Sequence, residues 1–573
     1  MKKMKWLILF CMLMNLLPAA ASAQPVEAVS TTSSIFVNDE RLYINGYNIN
    51  GNNYFKLRDL AAALKGTNSR FDVVWNAEQN SIELKTGLDY SGDEVLGNSW
   101  SLTEKTAVAS TASLNIDGAE VDVEAYNIED NNYYKLRDLG EGAAFEVYWN
   151  EEQNSVCIYT ASREYAVQSG GRAGYNDYMT PTVSTSRWSD IVRSYIYDNG
   201  DDTFTALELY NDGESYVIAV DIYKKDTYAL LSSRTVPFEL EFFGGFYPGE
   251  EYNYIVFGAD NTEEDDSREV IRVVKYDKNF ERVAALSVNG GEAYTVLPFS
   301  SGSLRMAENN GELVVHTARK RYTTSDGLNH QSQLTIIIDT DSMTVKNTMG
   351  EFQPNHVSHS FNQFVKYDND MAVLIDHGDA YPRSIVMNQY TDGSFKEFEL
   401  FKIPGTAGAN CTGVTVGGFE VSEDNYIVAM NSVDHSKVTN YTSFEMTGLE
   451  QDERDIVLLV SDKGNSENVK QVVLTNYVGQ NKLGSTPYLV KLDNDRFAVL
   501  WQEFEYLSGN TYPNYKNNGV KYVEINGSGE QLSEMMTVED IKLSSDCQPV
   551  YMDGEIVWYI DSLAGRMFYH IGI

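Results

Sequence analysis

The chain is poor in the residues that carry most recognisable chemistry. Its 573 residues include 7 histidines and 4 cysteines, and one cysteine, Cys11, lies inside the opening apolar run. The remaining Cys157, Cys411 and Cys547 are odd in number and widely spaced, which excludes a disulfide framework, and no CxxC or Cys/His spacing points to zinc. They read as buried thiols on strands. Also missing are a GxSxG elbow, a glycine-rich phosphate loop, an HExxH helix and an EF-hand loop, so the commonest hydrolase, nucleotide and metal signatures do not apply. Positive charge is scarce: 44 Lys and Arg face 83 Asp and Glu, a formal charge of −39. Such a polyanion is repelled by nucleic-acid phosphates and by anionic membrane surfaces, and neither is expected as a partner. The acidity serves solubility and leaves room for calcium; no other cofactor is implied.

Long apolar runs are absent after the amino end, so no transmembrane segment is expected. The opening Met1-Lys2-Lys3-Met4-Lys5 is basic, Trp6 to Leu17 is apolar but too short to span a bilayer, and Ala21-Ser22-Ala23 has the small residues of a cleavage site. This pattern predicts a secretory signal peptide over 1–23 and a mature chain from Gln24, working outside the membrane.

What the sequence does contain is repetition. Tyr47 to Leu60 recurs as Tyr126 to Leu139 with 11 of 14 positions identical. Each copy continues into a second matching block, Phe71-Asp-Val-Val-Trp75-Asn-Ala-Glu-Gln-Asn-Ser-Ile82 and Phe145-Glu-Val-Tyr-Trp149-Asn-Glu-Glu-Gln-Asn-Ser-Val156. Chance does not produce this, and internal duplication follows. Within a copy, Ile35 and Val37 alternate before an Asn38-Asp39 turn and Leu42 and Ile44 after it, which predicts a hairpin. Leu57, Leu60 and Leu64 fall on one face of a short helix, and two further strands flank the turn at Asn76–Asn80. Trp75 and Trp149 read as core anchors, and Arg58-Asp59 and Arg137-Asp138 as local ion pairs. The pattern resembles the stalk domain family, also called copper amine oxidase amino-terminal-like, over residues 34–160. The resemblance implies two small α+β modules, 34–90 and 112–160, acting as a non-catalytic spacer or wall-associated element. It does not imply copper, because no oxidase domain with its modified Tyr and His ligands is recognisable.

Residues 161–187, rich in Ser, Gly and Thr, read as a linker. Beyond it, residues 188–573 consist of short alternating or β-branched runs such as Tyr216–Tyr223, Val270–Tyr276, Leu334–Ile338 and Phe497–Trp501. Acidic or Asn/Gly turns recur between paired runs, at Asp198–Asp201, Pro248–Glu250, Glu308–Gly311, Asp368–Asp370, Glu423–Asn425, Asp493–Asp495 and Asp553-Gly554. Four strands per unit at roughly 50 to 70 residues is the period of propeller blades. The fold class expected is therefore mainly β: two stalk-like modules and then a β-propeller, seven-bladed, with eight blades or stacked sandwiches as alternatives. The last unit shows only three strands, and a segment near 172–187 is expected to supply the fourth.

Loops between the second and third strand of each unit would share one face and gather the candidate ligand-binding residues. The densest polar cluster is His356 and His359 with His377, Asp379, Tyr381 and Arg383; Arg319, Gln502 and Glu503 join it from neighbouring units. Long loops are expected at 434–453 and 503–518. His and Asp side chains suit acid/base work or a metal, and Arg suits a carboxylate or sulfate. The reading is a secreted, cell-envelope-associated, non-catalytic binding or structural protein, with an extracellular glycan or protein as its ligand. The alternative is a polysaccharide lyase or hydrolase on the same scaffold.

Overall fold

A computed structural model describes residues 24–97, 103–170, 176–182, 188–508 and 514–573. The signal peptide expected over 1–23 lies outside the described residues. The protein is mainly β, 55% strand against 3% helix, which settles the fold class before any detail of topology. It divides into two compact units, Met1–Thr160 and Ala161–Ile573. Among the described residues no helix is long and apolar enough to cross a membrane.

In the first unit the two copies are interlaced. Each copy's hairpin half pairs with the other copy's helix-and-strand half. Ser81–Thr86 of copy one runs parallel to Ser113–Ile116 of copy two, and Ser155–Tyr159 of copy two runs parallel to Ser34–Val37 of copy one. Six further strands, three from each copy, close into a small barrel. The predicted hairpin turn has Asn38 at φ 49 and Asp39 at φ 68, the doubly left-handed conformation that matches strand twist. Leu57 and Leu60 of the short helix Leu57–Ala63, and Leu64 that caps its end, are buried in one core with Leu114, Leu136 and Phe145 of the other copy. A single copy cannot cover this apolar face alone, which is why the duplication folds as one body. The expectation for the two tryptophans is overturned: Trp75 and Trp149 are 46% and 44% exposed. Each sits near the end of a strand whose first residues alone reach the core. Nor does Arg58 pair with its neighbour; it lies 3.6 Å from Glu94, while Asp59 takes Lys56 at 3.2 Å.

The second unit is a β-propeller built from four-stranded antiparallel meanders in chain order. The first runs through Ser194–Asp198, Thr203–Asn211, Tyr216–Lys224 and Leu230–Pro237. Its middle strands are buried on both faces and its outermost strand is almost wholly exposed, the gradient expected when sheets pack face to face around an axis. The same pattern repeats through Val469–Val473 and beyond. Each acidic turn singled out in the sequence joins an innermost strand to the second strand of its sheet. One sheet is continuous with the next through a single pair, Ser332 with Ser358. The closing strand is Ala166–Ser169, which pairs antiparallel with Gly565–Gly572 and completes the last sheet. It lies upstream of the 172–187 segment expected for this role, and inside the stretch that composition marks as linker. Four residues sufficed, too few to register as a periodic run.

Ring closure also has a charged component. Arg566, fully buried, meets Glu208 and Asp221 of the first sheet, the latter at 3.0 Å, and lies 4.6 Å from the Tyr559 ring. Cys157, Cys411 and Cys547 are all buried, though only Cys157 lies on a strand.

Candidate functional site

The strand Met371–Ala380 carries the centre of the predicted cluster, and its alternation splits that cluster in two. Asp376 points to one side. Its carboxylate accepts from Ser360 Oγ at 2.6 Å and lies 3.2 Å from Nε2 of His316, whose Nδ1 is 3.0 Å from Thr335 Oγ1. The charges of Arg321, Arg319 and Asp376 all reach His356. His377 and Asp379 point to the other side. His377 Nε2 is 3.0 Å from Thr412 Oγ1. Asp379 lies 3.0 Å from His359 Nδ1 and accepts from Asn410 at 2.7 Å. His356 therefore does not join His359, His377 and Asp379 in a pocket, because residues 356 and 359 flank a strand start and 376 and 377 alternate across a sheet.

The remaining predicted residues are mostly committed to the scaffold. Arg383 donates from each of its three nitrogens, to the carbonyls of Pro404, Ala409 and Cys411, and clamps that loop, so three of its five N–H donors are taken by the backbone. Arg319 donates to Gly350 and Glu351 carbonyls beneath the surface. Gln502, fully buried, bonds Asn517, Ile541 and the amide of Leu543. Glu503 takes Lys482 at 3.0 Å and Asn518 at 3.1 Å; burial disfavours its charge, yet hydrogen bonds from Tyr477 and Lys482 hold its carboxyl below the usual range. Tyr381 alone is open to solvent, at 76% exposure. Many of these residues lie on strands rather than loops, since the strands run further than their apolar cores suggested. Half of the 503–518 loop is taken by the strands Arg496–Tyr506 and Tyr515–Asn526, and the 434–453 loop holds a small hairpin, Asn440–Tyr441 with Met446–Thr447.

A cavity of about 370 Å³ opens where the innermost strands of successive sheets converge. Its wall includes Trp188, Arg305, Asn362, His377, Thr486 and Asp546. Of these only His377 was anticipated. The others sit at or just before innermost strands, the positions nearest a propeller axis, and reading the first strand of each unit would have found them. Trp188 packs edge-on against Phe361 at 4.6 Å and against His359 at 5.9 Å, so the His359–Asp379 pair lies directly behind the cavity wall. Among the described residues no group of three or more His, Cys, Asp or Glu is close enough to hold a metal ion.

Burial pushes His377 down to about 4, only partly opposed by Asp379. It pushes His356 and His435 to about 4 as well, helped by nearby arginines. These imidazoles are neutral at physiological pH. A depressed histidine favours the folded state above its unfolded value near 6.5, and that contribution is lost as pH falls toward 4. The melting temperature is therefore expected to drop steeply between these limits, with His377 alone contributing ~2–3 kcal/mol. His377→Gln should flatten the pH profile; an unchanged profile would refute this assignment.

No protein-family model matches the chain, and no curated protein matches it. Solved structures resemble it at 10% identity. The β-propeller domain of the Trilobed protease from Pyrococcus furiosus, described as having an open velcro topology, aligns over 66% of this chain and 97% of its own, with a TM-score of 0.34. A putative 6-phosphogluconolactonase from Bacteroides fragilis aligns over 70% and 92%, with a TM-score of 0.33. The acylaminoacyl peptidase of Pyrococcus horikoshii aligns over 64% of this chain with a TM-score of 0.33, and there the match spans about half of the peptidase, 49%.

Proposed function

We infer that this is an exported, cell-envelope-associated binding protein in which a seven-bladed propeller presents a ligand site at its axial cavity and the amino-terminal duplicated unit, akin to stalk domains, docks it to the envelope. Export rests on the basic start, short apolar core and Ala21-Ser22-Ala23 of the sequence. The blade number rests on the succession of four-strand groups and the early strand Ala166–Ser169 that completes the last of them. The non-catalytic reading rests on one observation: the polar groups around the cavity are already engaged with one another. His377 is held by Thr412 and His359 by Asp379, and burial keeps His377 neutral. A general acid or base needs a value near working pH, and His377, pushed down to about 4, does not meet that condition. Trp188 and Arg305 offer the aromatic and cationic contacts from which a polar ligand site is built, while the Asn362 amide is taken by Ser303 and Val416.

The test is to incubate residues 24–573 with purified peptidoglycan and with neutral and acidic polysaccharides, measuring co-sedimentation and released products together. Co-sedimentation without product is expected. Product release that His377→Ala abolishes would overturn the non-catalytic reading.

A further inference from the structure

The first unit holds a groove of about 560 Å³ that neither copy makes alone. Copy one contributes Trp75 with Leu57, Val73 and Ile82; copy two contributes the segment Val108–Ala112 and the amides Asn127, Asn131 and Asn132. The volume lies within the range of small-ligand sites. Half of the Trp75 indole faces solvent, although a ring of that size on a strand next to a core is ordinarily drawn inward.

The arrangement occurs twice. Trp149 is exposed to the same degree as Trp75, 44% against 46%. Asn80 donates to the carbonyl of Thr111 at 2.8 Å, and Asn154 does the same to Thr32 at 3.3 Å. Asn127 bonds Asn132 at 3.4 Å, and Asn48 bonds Asn53 at 3.1 Å. The second junction thus repeats the Trp, the turn asparagine and the asparagine pair of the first. A core requirement does not explain a half-exposed indole kept in both copies.

We propose that the two junctions are glycan-binding grooves, in which Trp75 and Trp149 stack on the apolar face of a sugar ring and the asparagine amides bond its hydroxyl or amide groups. A flat indole beside amides that both donate and accept is the chemistry that recognises uncharged, hydroxyl-rich rings. The groove also carries Lys56, Arg58 and Asp130, but Lys56 is paired with Asp59 and Glu94 and Arg58 lies 3.6 Å from Glu94; with a net charge of −39 beyond them, a neutral segment is favoured over an anionic polymer, and an N-acetylated wall glycan is the class that fits. Two such sites on one body would hold a repeating polymer by avidity. The proposal rests on the envelope-docking reading and names the residues that carry it.

The experiment uses the full mature chain, residues 24–573, with insoluble peptidoglycan and a soluble β-1,4-linked N-acetylglucosamine oligomer as probes. Trp75→Ala and Trp149→Ala should each weaken binding roughly tenfold, and the double variant should lose co-sedimentation altogether. Trp75→Phe should retain most of it. Because both rings are half exposed, thermal unfolding of these variants should match the native chain and exclude misfolding. If the native chain sediments with peptidoglycan and the double variant does so equally well, this inference is overturned while envelope docking stands. If the native chain binds neither probe, the docking reading and this inference fall together.

Discussion

Arg566→Met is expected to destabilise the propeller by about 3–5 kcal/mol, more than any other single substitution considered for this unit. Arg566 is fully shielded from solvent on the strand Gly565–Gly572, and its guanidinium joins the last sheet to Glu208 and Asp221 of the first. Both carboxylates are themselves buried, at 1% and 0% exposure, so the substitution strands negative charge in an apolar interior. Burial pushes the Glu208 carboxyl well above the usual carboxylate range even with Arg566 beside it, so the pairing offsets only part of the desolvation. The sign follows: a carboxyl raised in the fold carries no penalty below its unfolded value and the full penalty above its folded one. The defect of Arg566→Met should therefore be smaller at pH 5 than at pH 8. Chemical denaturation at both values tests it, and Glu208→Gln added to Arg566→Met should recover much of the loss. A difference from native below about 0.5 kcal/mol would show that the ring closes without this contact.

The closing contact also marks where the sequence could and could not be read. The propeller was legible because its signal is periodic. Acidic turns such as Asp368–Asp370 and Asp493–Asp495 sit between apolar runs, and each joins an innermost strand to its neighbour. Runs such as Leu334–Ile338 became the centres of strands, here Gln331–Asp339. Long-range closure left no such trace, because Ala166–Ser169 is a four-residue edge strand whose partner lies almost 400 residues away. The candidate site was half legible for a related reason. His377 and Asp376 are neighbours in sequence and face opposite sides of a sheet. Strand ends were also placed too early, so residues such as Arg383 and Gln502 looked like loop residues open to a ligand. Their bonds to Cys411 and Leu543 show them bracing the backbone. The misjudged tryptophans have a different cause. Residue type alone argued for burial, whereas position near a strand end decided against it.

Deleting copy two, residues 103–160, from the full chain should unfold copy one as well. A pair of independent modules would behave otherwise: removing one would leave the other's protection intact. In this unit Ser34–Val37 depends on Ser155–Tyr159 for one of its two neighbours, and Ser81–Thr86 depends on Ser113–Ile116. The six-strand barrel loses three strands, and Asn52–Lys56 loses its pairing with Asn131–Lys135. What remains is two two-stranded ribbons and one short three-stranded sheet opened from the barrel, each with its apolar face uncovered and marginal in water at best. Their apolar faces fare no better. Ile35, Leu60 and Phe71 share a core with Leu114, Tyr134, Phe145 and Ile158, and the deletion uncovers that side. The entropy of ordering about 70 residues then has no compensating burial. Hydrogen exchange across residues 24–97 should rise to the rate of an unstructured chain, and limited proteolysis should cut there first, while the strands of the second unit keep native protection. Persisting slow exchange at Leu57–Ala63 in the deletion would mean that one copy folds alone, and the interlaced unit would then be two modules after all. The expected collapse would instead establish that the duplication is an obligate pair, so that any groove formed at the junctions exists only when both copies are present.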